Sequence, residues 1–300
     1  MVAAVPAVHA ALITINKMKN FDQKLVLVTG GSSGIGLELA KQLAQSGANV
    51  WILARRFTVL QNALKEIEAL RVRPDQTFGL LLADVSEECQ INSVLDEFLK
   101  TTGTPDLLIN SVGYSRPGFI LDQDTEFFHK LININYLGTV HVVKRIAPAM
   151  VERRSGHIVN LSSMAGFIGL IGYGAYGASK YAIAGFSDVL RIELKPYQVK
   201  VSIVYPPDTA TPGFEEDQAH LPAITRQVSA DNNKIMSARD VAADIIKSIK
   251  RDRYVITPGF ETALQWHLAN IFGDFQYFIM DQLVAASQRK LDRKIAHKQP

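Results

Sequence analysis

The sequence predicts an α/β fold, a doubly wound sheet of about seven parallel strands with helices on both faces. Three observations carry this expectation. Short apolar runs alternate with amphipathic stretches along most of the chain, the pattern of strands buried on both faces by crossover helices. A glycine-rich turn, Gly30-Gly31-Ser32-Ser33-Gly34-Ile35-Gly36, joins the first apolar run to the first helical one. No linker, repeat or low-complexity stretch divides the 300 residues, so one domain over residues 1–300 is the economical reading.

Taken in order, residues 1–20 read as an N-terminal extension. Residues 2–15 are apolar but lack a basic start and fall short of the ~20 residues that cross a bilayer, while Met18 reads as an alternative start. The first strand is expected at 25–29, and after the turn Ile35, Leu39 and Leu43 recur at helical spacing until Gly47. Further strands are expected at 49–54, 78–83, 107–110, 157–161, 199–205 and 254–257, with helical patterns between them. Thr29, Arg55, Asp84, Asn110, Ser163 and Pro206 then all fall at carboxyl ends of strands, where sites in such sheets gather. Residues 260–287 carry Trp266, Phe272, Phe275, Tyr277 and Phe278 at helical spacing, and Glu261, Asp274 and Asp281 argue against a membrane span. Three readings of this segment stay open: a core or oligomer-packing helix, a cover for an apolar ligand tail, or an interfacial membrane helix. The basic tail, with Arg289, Lys290, Arg293, Lys294 and Lys298, suits an anionic surface or a solvated end.

Composition narrows the function classes. The formal charge of +3 is small and scattered, which argues against nucleic acid, and Arg153-Arg154 reads as a solvated helix end. Cys89 is the sole cysteine, so the chain forms no internal disulfide, and Glu87 and Glu88 disfavour a reactive thiolate.

The chemistry-bearing residues cluster in three places. In the turn, Gly30, Ser32, Ser33, Gly34, Ile35 and Gly36 let backbone approach a pyrophosphate and present helix-start amides to it. At the end of the second strand, Ala54-Arg55-Arg56 offers no carboxylate for a ribose 2′-hydroxyl but two guanidinium groups for a 2′-phosphate. NADPH is therefore expected over NAD, with Arg55 as primary anchor, Arg56 beside it and Ser32 as a further donor. Tyr176 and Lys180 stand one helical turn apart, so the ammonium is expected beside the phenol, favouring its ionised form.

These residues carry a resemblance to the short-chain dehydrogenase/reductase family, covering about Lys24 to Pro258. Thr29 to Gly36 resembles that family's Thr-Gly-x-x-x-Gly-x-Gly loop, and Ser163 precedes Tyr176 by the family's 13 residues. Asn110-Ser111-Val112-Gly113 occupies the place of its Asn-Asn-Ala-Gly segment, departing at Ser111 and Val112, and Asn135 matches its catalytic asparagine. The resemblance implies a Rossmann-like sheet and hydride transfer to a ketone. Tyr176 donates the proton, Ser163 rather than Ser162 holds the substrate oxygen, Lys180 and the nicotinamide ribose lower the phenol, and Asn135 supports Lys180 through a water relay. It further implies cofactor contacts from Asp84 and Val85 at the adenine, from Asn110 and Gly113, from Tyr176 and Lys180, and from Pro206, Thr209 and Thr211. No metal is needed, and a homodimer or tetramer is implied, with the helices around Tyr136 and Tyr176 at the contact.

Substrate is argued from Pro206-Pro207-Asp208-Thr209-Ala210-Thr211-Pro212-Gly213-Phe214-Glu215-Glu216, where most of the family has Pro-Gly and a threonine. This string, and the apolar approach from Gly166 to Tyr173, resemble the branch that reduces 3-ketodihydrosphingosine to sphinganine with NADPH. That branch implies a lipid-like ketone, a lid beginning at Phe214, and a cytoplasmic enzyme peripheral to a membrane, at the cytosolic face of the endoplasmic reticulum in a eukaryote. Another hydrophobic ketone (a steroid, retinoid or 3-oxoacyl thioester) and a non-catalytic NADPH-binding regulator remain as alternatives. Glu215, Glu216 and Asp217 read either as a solvated acidic helix start or as an attraction for the long-chain base's amine.

Overall fold

The computed structural model of the chain describes residues 18–232 and 235–296; the apolar N-terminal stretch at 2–15 and Lys298 lie outside them. Five-residue β1 (Leu25–Thr29) enters the glycine turn and α1 (Gly34–Gln45), which returns the chain to β2 (Asn49–Ala54), α2 (Phe57–Glu68) and β3 (Phe78–Leu82). Next come α3 (Glu88–Thr101), β4 (Leu107–Asn110), α4 (Thr125–Leu131) and a π-helical turn, Ile132–Leu137, which runs into α5 (Gly138–Arg153). β5 (Gly156–Leu161), the long α6 (Gly174–Leu194) and β6 (Val199–Val204) complete the part of the chain with regular alternation.

After β6 the chain departs from that alternation. Two-residue strands β7 (Thr209–Ala210) and β8 (Met236–Ser237) pair with each other and bracket α7 (Pro212–His220) and α8 (Ala223–Asn232). Helix α9 (Ala238–Lys250), capped by the Ser237 hydroxyl on the Asp240 amide, leads to β9 (Val255–Ile256), α10 (Phe260–Phe272) and α11 (Phe275–Ala296).

All pairings in the main sheet are parallel, in the order β3-β2-β1-β4-β5-β6-β9. The direction of winding reverses between β1 and β4, where Thr29 stands beside Asn110, and a crevice opens there at the carboxyl ends. Side-chain alternation along β1 sends Val26 and Val28 to a core shared with α1, α2 and α9, and Leu27 to a second core shared with α3, α5 and α6. Strand interiors that are apolar on both faces make the parallel arrangement stable, because each face has helices to pack against.

The expected strands are present within a residue or so, the last shortened to two residues. Arg153 and Arg154 are exposed at the end of α5, as expected, and tie that end down: the Arg153 guanidinium donates to the carbonyls of Thr104, Pro105 and Ser155 and lies 3.6 Å from Asp106, while Arg154 donates to Pro196. Of the readings left open for residues 260–287, packing into the core fails for α10. Phe260 is 80% and Ile271 73% exposed, and among the described side chains of α10 only Thr262 is buried, since α10 comes after the last strand and has no sheet face left to cover. No helix among the described residues is long and apolar enough to cross a membrane.

Candidate active site

A cavity of about 690 Å³ occupies the crevice. One wall is the glycine turn. Gly30, at φ 67°, lies so close to the next loop that a Cβ there would come within 2.9 Å of the Ser111 backbone, and a Cβ on Gly36 would stand 2.3 Å from the Gly30 carbonyl oxygen. These approaches exclude side chains and leave bare backbone facing the cavity. Ser33 caps α1 without a side-chain hydrogen bond and the first turn holds no acidic residue, so the orphan amides of the helix start remain available to an anion.

The other turn residues expected here, Ser32, Ser33, Gly34 and Ile35, line the cavity with Arg55 and Arg56 from the end of β2 and Asp84 and Val85 from the end of β3. An acid does reach Arg55, contrary to the sequence expectation: Asp84 Oδ2 lies 3.4 Å from Nη1 and comes from β3, not β2. Burial pulls the Asp84 carboxyl upward, but hydrogen bonds from the Ser86 amide and hydroxyl and from Arg55 outweigh it and hold it below the usual carboxylate range. Asn110 turns its side chain into the sheet, donating to Asn160 Oδ1 at 2.9 Å, and does not line the cavity. Ser111, Val112 and Gly113 do.

Ser163, Tyr176 and Lys180 converge on the opposite side. Ser163 follows β5 and caps a single 3-10 turn through the Ala165 amide, and its hydroxyl acts to lower the Tyr176 phenol. The rival Ser162 is buried and donates to the Lys180 carbonyl oxygen at 2.9 Å, so it serves α6 and not the crevice. Lys180 Nζ donates to the Leu161 carbonyl at 3.0 Å and lies 5.6 Å from the centre of the Tyr176 ring.

Burial pushes the Tyr176 phenol up to about 12, opposed by the Ser163 hydroxyl and reinforced by Asp217 and Asp208. Lys180 is itself brought down to about 8 by burial.

Asn135 sits in the π-helical turn, fully buried. Its side chain accepts from the Tyr114 amide at 2.8 Å and donates to the Tyr114 carbonyl and the Ser179 hydroxyl, so it fastens the loop after β4 to α6 and makes no direct bond to Lys180. That loop runs close to the ammonium: a Cβ on Gly113 would be 3.3 Å from Lys180 Nζ.

The segment after β6 closes the cavity. Pro206, Thr209 and Thr211 line it, with the Thr209 hydroxyl donating to Pro207 and the Thr211 hydroxyl capping α7 at the Phe214 amide. Glu215 and Glu216 are exposed, but Asp217 is only 7% exposed, lines the cavity and accepts a hydrogen bond from Ser115, which overturns its reading as part of a solvated helix start. Ser115 had no signal in the sequence, since its place depends on the fold bringing distant loops together, whereas Tyr173, whose ring centre is 5.9 Å from that of Tyr176, ends the apolar approach expected from the sequence.

The chain matches the model of the short chain dehydrogenase family over residues 24–221. It is 39% identical over 223 residues to a bovine (Bos taurus) 3-ketodihydrosphingosine reductase, covering 74% of this chain and 67% of the relative. It is 32% identical over 276 residues to the 3-ketodihydrosphingosine reductase of Dictyostelium discoideum, covering 87% and 82%. A short-chain dehydrogenase/reductase from Burkholderia phymatum, solved in complex with NAD, superposes with a TM-score of 0.73 at 25% identity, covering 86% of this chain and 96% of the other. With its glycine cradle, its winding reversal and its Ser163, Tyr176 and Lys180 at one crevice, the chain belongs to the short-chain dehydrogenase family of oxidoreductases.

Proposed function

We propose that the chain reduces the 3-keto group of 3-ketodihydrosphingosine to sphinganine with NADPH, Tyr176 giving the proton. The observation that carries this reading is that Ser163, Tyr176 and Lys180 line the same cavity as the glycine cradle. The substrate rests on the names borne by the bovine and Dictyostelium relatives.

The residues present fit a nicotinamide dinucleotide. Backbone at Gly30 and Gly36 that a Cβ would fill, together with the amides starting α1, would hold the pyrophosphate. Arg55 and Arg56 would hold the 2′-phosphate; Asp84, 3.4 Å from Arg55, orients that guanidinium and leaves its other donors for the phosphate oxygens. Once bound, the cofactor supplies the hydride.

The chain's own residues then handle charge and protons. Ser163 holds the ketone oxygen by its hydroxyl and stabilises the charge that develops there. Tyr176, with its pKa near 12, is protonated throughout the neutral range and delivers its phenolic proton to that oxygen. Lys180, at about 8, is close enough to neutrality to exchange a proton with solvent and restore the phenol. Asn135 fixes the Tyr114 loop against α6 and so keeps the wall beside Lys180 in place. We assign the exposed apolar face of α10, formed by Phe260, Leu264, Leu268 and Ile271, to a lipid bilayer, and the exposed Arg289 and Lys290 of α11 to its anionic headgroups.

The test is conversion of 3-ketodihydrosphingosine by the purified protein with NADPH, followed by mass spectrometry. A product heavier by two hydrogens, formed by the wild type and far more slowly by Tyr176→Phe, supports the reading; an unconverted substrate overturns it.

A further inference from the structure

The walls of the cavity are electrically unequal. Arg55 and Arg56 line it at the end of β2, Asp208, Glu216 and Asp217 line it from the segment after β6, and Lys130 and Lys180 are the other cations on its wall. The negative charges of Asp217 and Asp208 both raise the Tyr176 phenol, so they act within electrostatic range of the atom that meets the ketone. Of these acids, only Asp217 is deeply buried.

Its bonding is incomplete. The Ser115 hydroxyl donates to one carboxylate oxygen, and among the described residues no lysine or arginine pairs with Asp217 and no second donor reaches it. Leaving a buried carboxylate without a cation is costly, and a purely structural acid is ordinarily paired. Burial, with Glu216 and Asp208 adding to it, pushes this carboxyl up to about 6, against the Ser115 hydrogen bond and His220, so it is still largely ionised at neutral pH.

We propose that Asp217, oriented by Ser115, binds an ammonium group on the carbon next to the reacting ketone and so selects 2-amino ketones over neutral ones. This rests on the reading given above. In 3-ketodihydrosphingosine the amine is one carbon from the ketone, so a carboxylate near Tyr176 meets it whenever the ketone oxygen lies at Ser163 and Tyr176. The ion pair completes the shell that the protein leaves open on Asp217.

The experiment uses the full chain loaded with NADP⁺ or NADPH. Competition binding compares octadecylamine with octadecanol, and kinetics compare 3-ketodihydrosphingosine with 1-hydroxyoctadecan-3-one, which lacks the amine. Wild type is expected to prefer the ammonium member of each pair. In Asp217→Asn, whose amide oxygen still accepts from Ser115, each preference falls roughly tenfold to hundredfold, as for loss of a charge-assisted hydrogen bond. Asp217→Glu restores part of it. Absence of an ammonium preference in wild type, or an unchanged preference in Asp217→Asn, overturns the proposal. If the wild type leaves both ketones unreduced yet shows an Asp217-dependent preference for octadecylamine, the proposed substrate falls and the ammonium site stands.

Discussion

Tyr176 illustrates how burial and function pull on one group. Desolvation raises the phenol and a single hydroxyl, from Ser163, opposes the rise, so the proton is held until an oxygen with greater basicity is presented. Removing the hydroxyl in Tyr176→Phe is expected to lower kcat by roughly 10²–10⁴ while NADPH binding, followed by fluorescence titration, is kept. Arg55→Ala is expected to cut the preference for NADPH over NADH by roughly tenfold or more, through a higher KM for NADPH, because a charge-assisted contact to the 2′-phosphate goes with it. The triad of Ser163, Tyr176 and Lys180 is legible in the sequence because its spacing is local: two members share α6 and the third follows the preceding strand by two residues. Asp217 is not. Its burial depends on Ser115, 102 residues away, and nothing in Glu215-Glu216-Asp217 distinguishes the one carboxylate that α7 turns inward.

At the scale of elements, the glycine turn is legible because its residues are constrained by contact distances that sequence chemistry reflects. Gly36→Ala places a methyl 2.3 Å from the Gly30 carbonyl oxygen, so the turn must open, and NADPH affinity measured by calorimetry is expected to fall roughly tenfold or more. β5 makes a different prediction. His157 is 1% exposed there, and its Nε2 lies 2.8 Å from the Ser202 hydroxyl, which donates onward to the Arg253 carbonyl, so Nε2 carries the hydrogen and the ring is neutral. Burial, aided by Lys200 and opposed by Asp252, lowers its pKa from 6.5 to about 4. The unfolded chain therefore binds the extra proton between these values, and the stability that His157 contributes is whole above pH 6.5 and lost as pH falls through 4. The loss is on the order of 3 kcal/mol. Urea unfolding at pH 7 and pH 4.5 is expected to show a smaller difference in His157→Leu than in wild type. The π-helical turn that carries Asn135 is illegible, since Ile132–Leu137 is compatible with an ordinary helix and only the Tyr114 and Ser179 bonds favour the wider turn.

For the whole molecule, the sheet and its order arise from seven apolar runs separated by helices, and these are written plainly in the sequence. The segment beyond β6 is harder to read, because β7, β8 and α7 owe their places to pairing across the cavity mouth and carry no period of their own. The C-terminal aromatics are ambiguous for the same reason: periodicity marks a face, not its partner. With Phe260, Leu264, Leu268 and Ile271 exposed along one side of α10, the protein is expected to co-sediment with anionic vesicles, and Phe260→Ser with Ile271→Ser to weaken that association; equal sedimentation of both proteins would place the lipid contact elsewhere. The central claim spans the whole molecule, since it requires cradle, Tyr176 and substrate pocket to act together. It is tested most directly with NADPH deuterated at C4 on both faces and 3-ketodihydrosphingosine. The account predicts sphinganine carrying one deuterium at C3 with the wild type, formed roughly 10²–10⁴-fold more slowly by Tyr176→Phe; sphinganine without the label, or no sphinganine from the wild type, would contradict it.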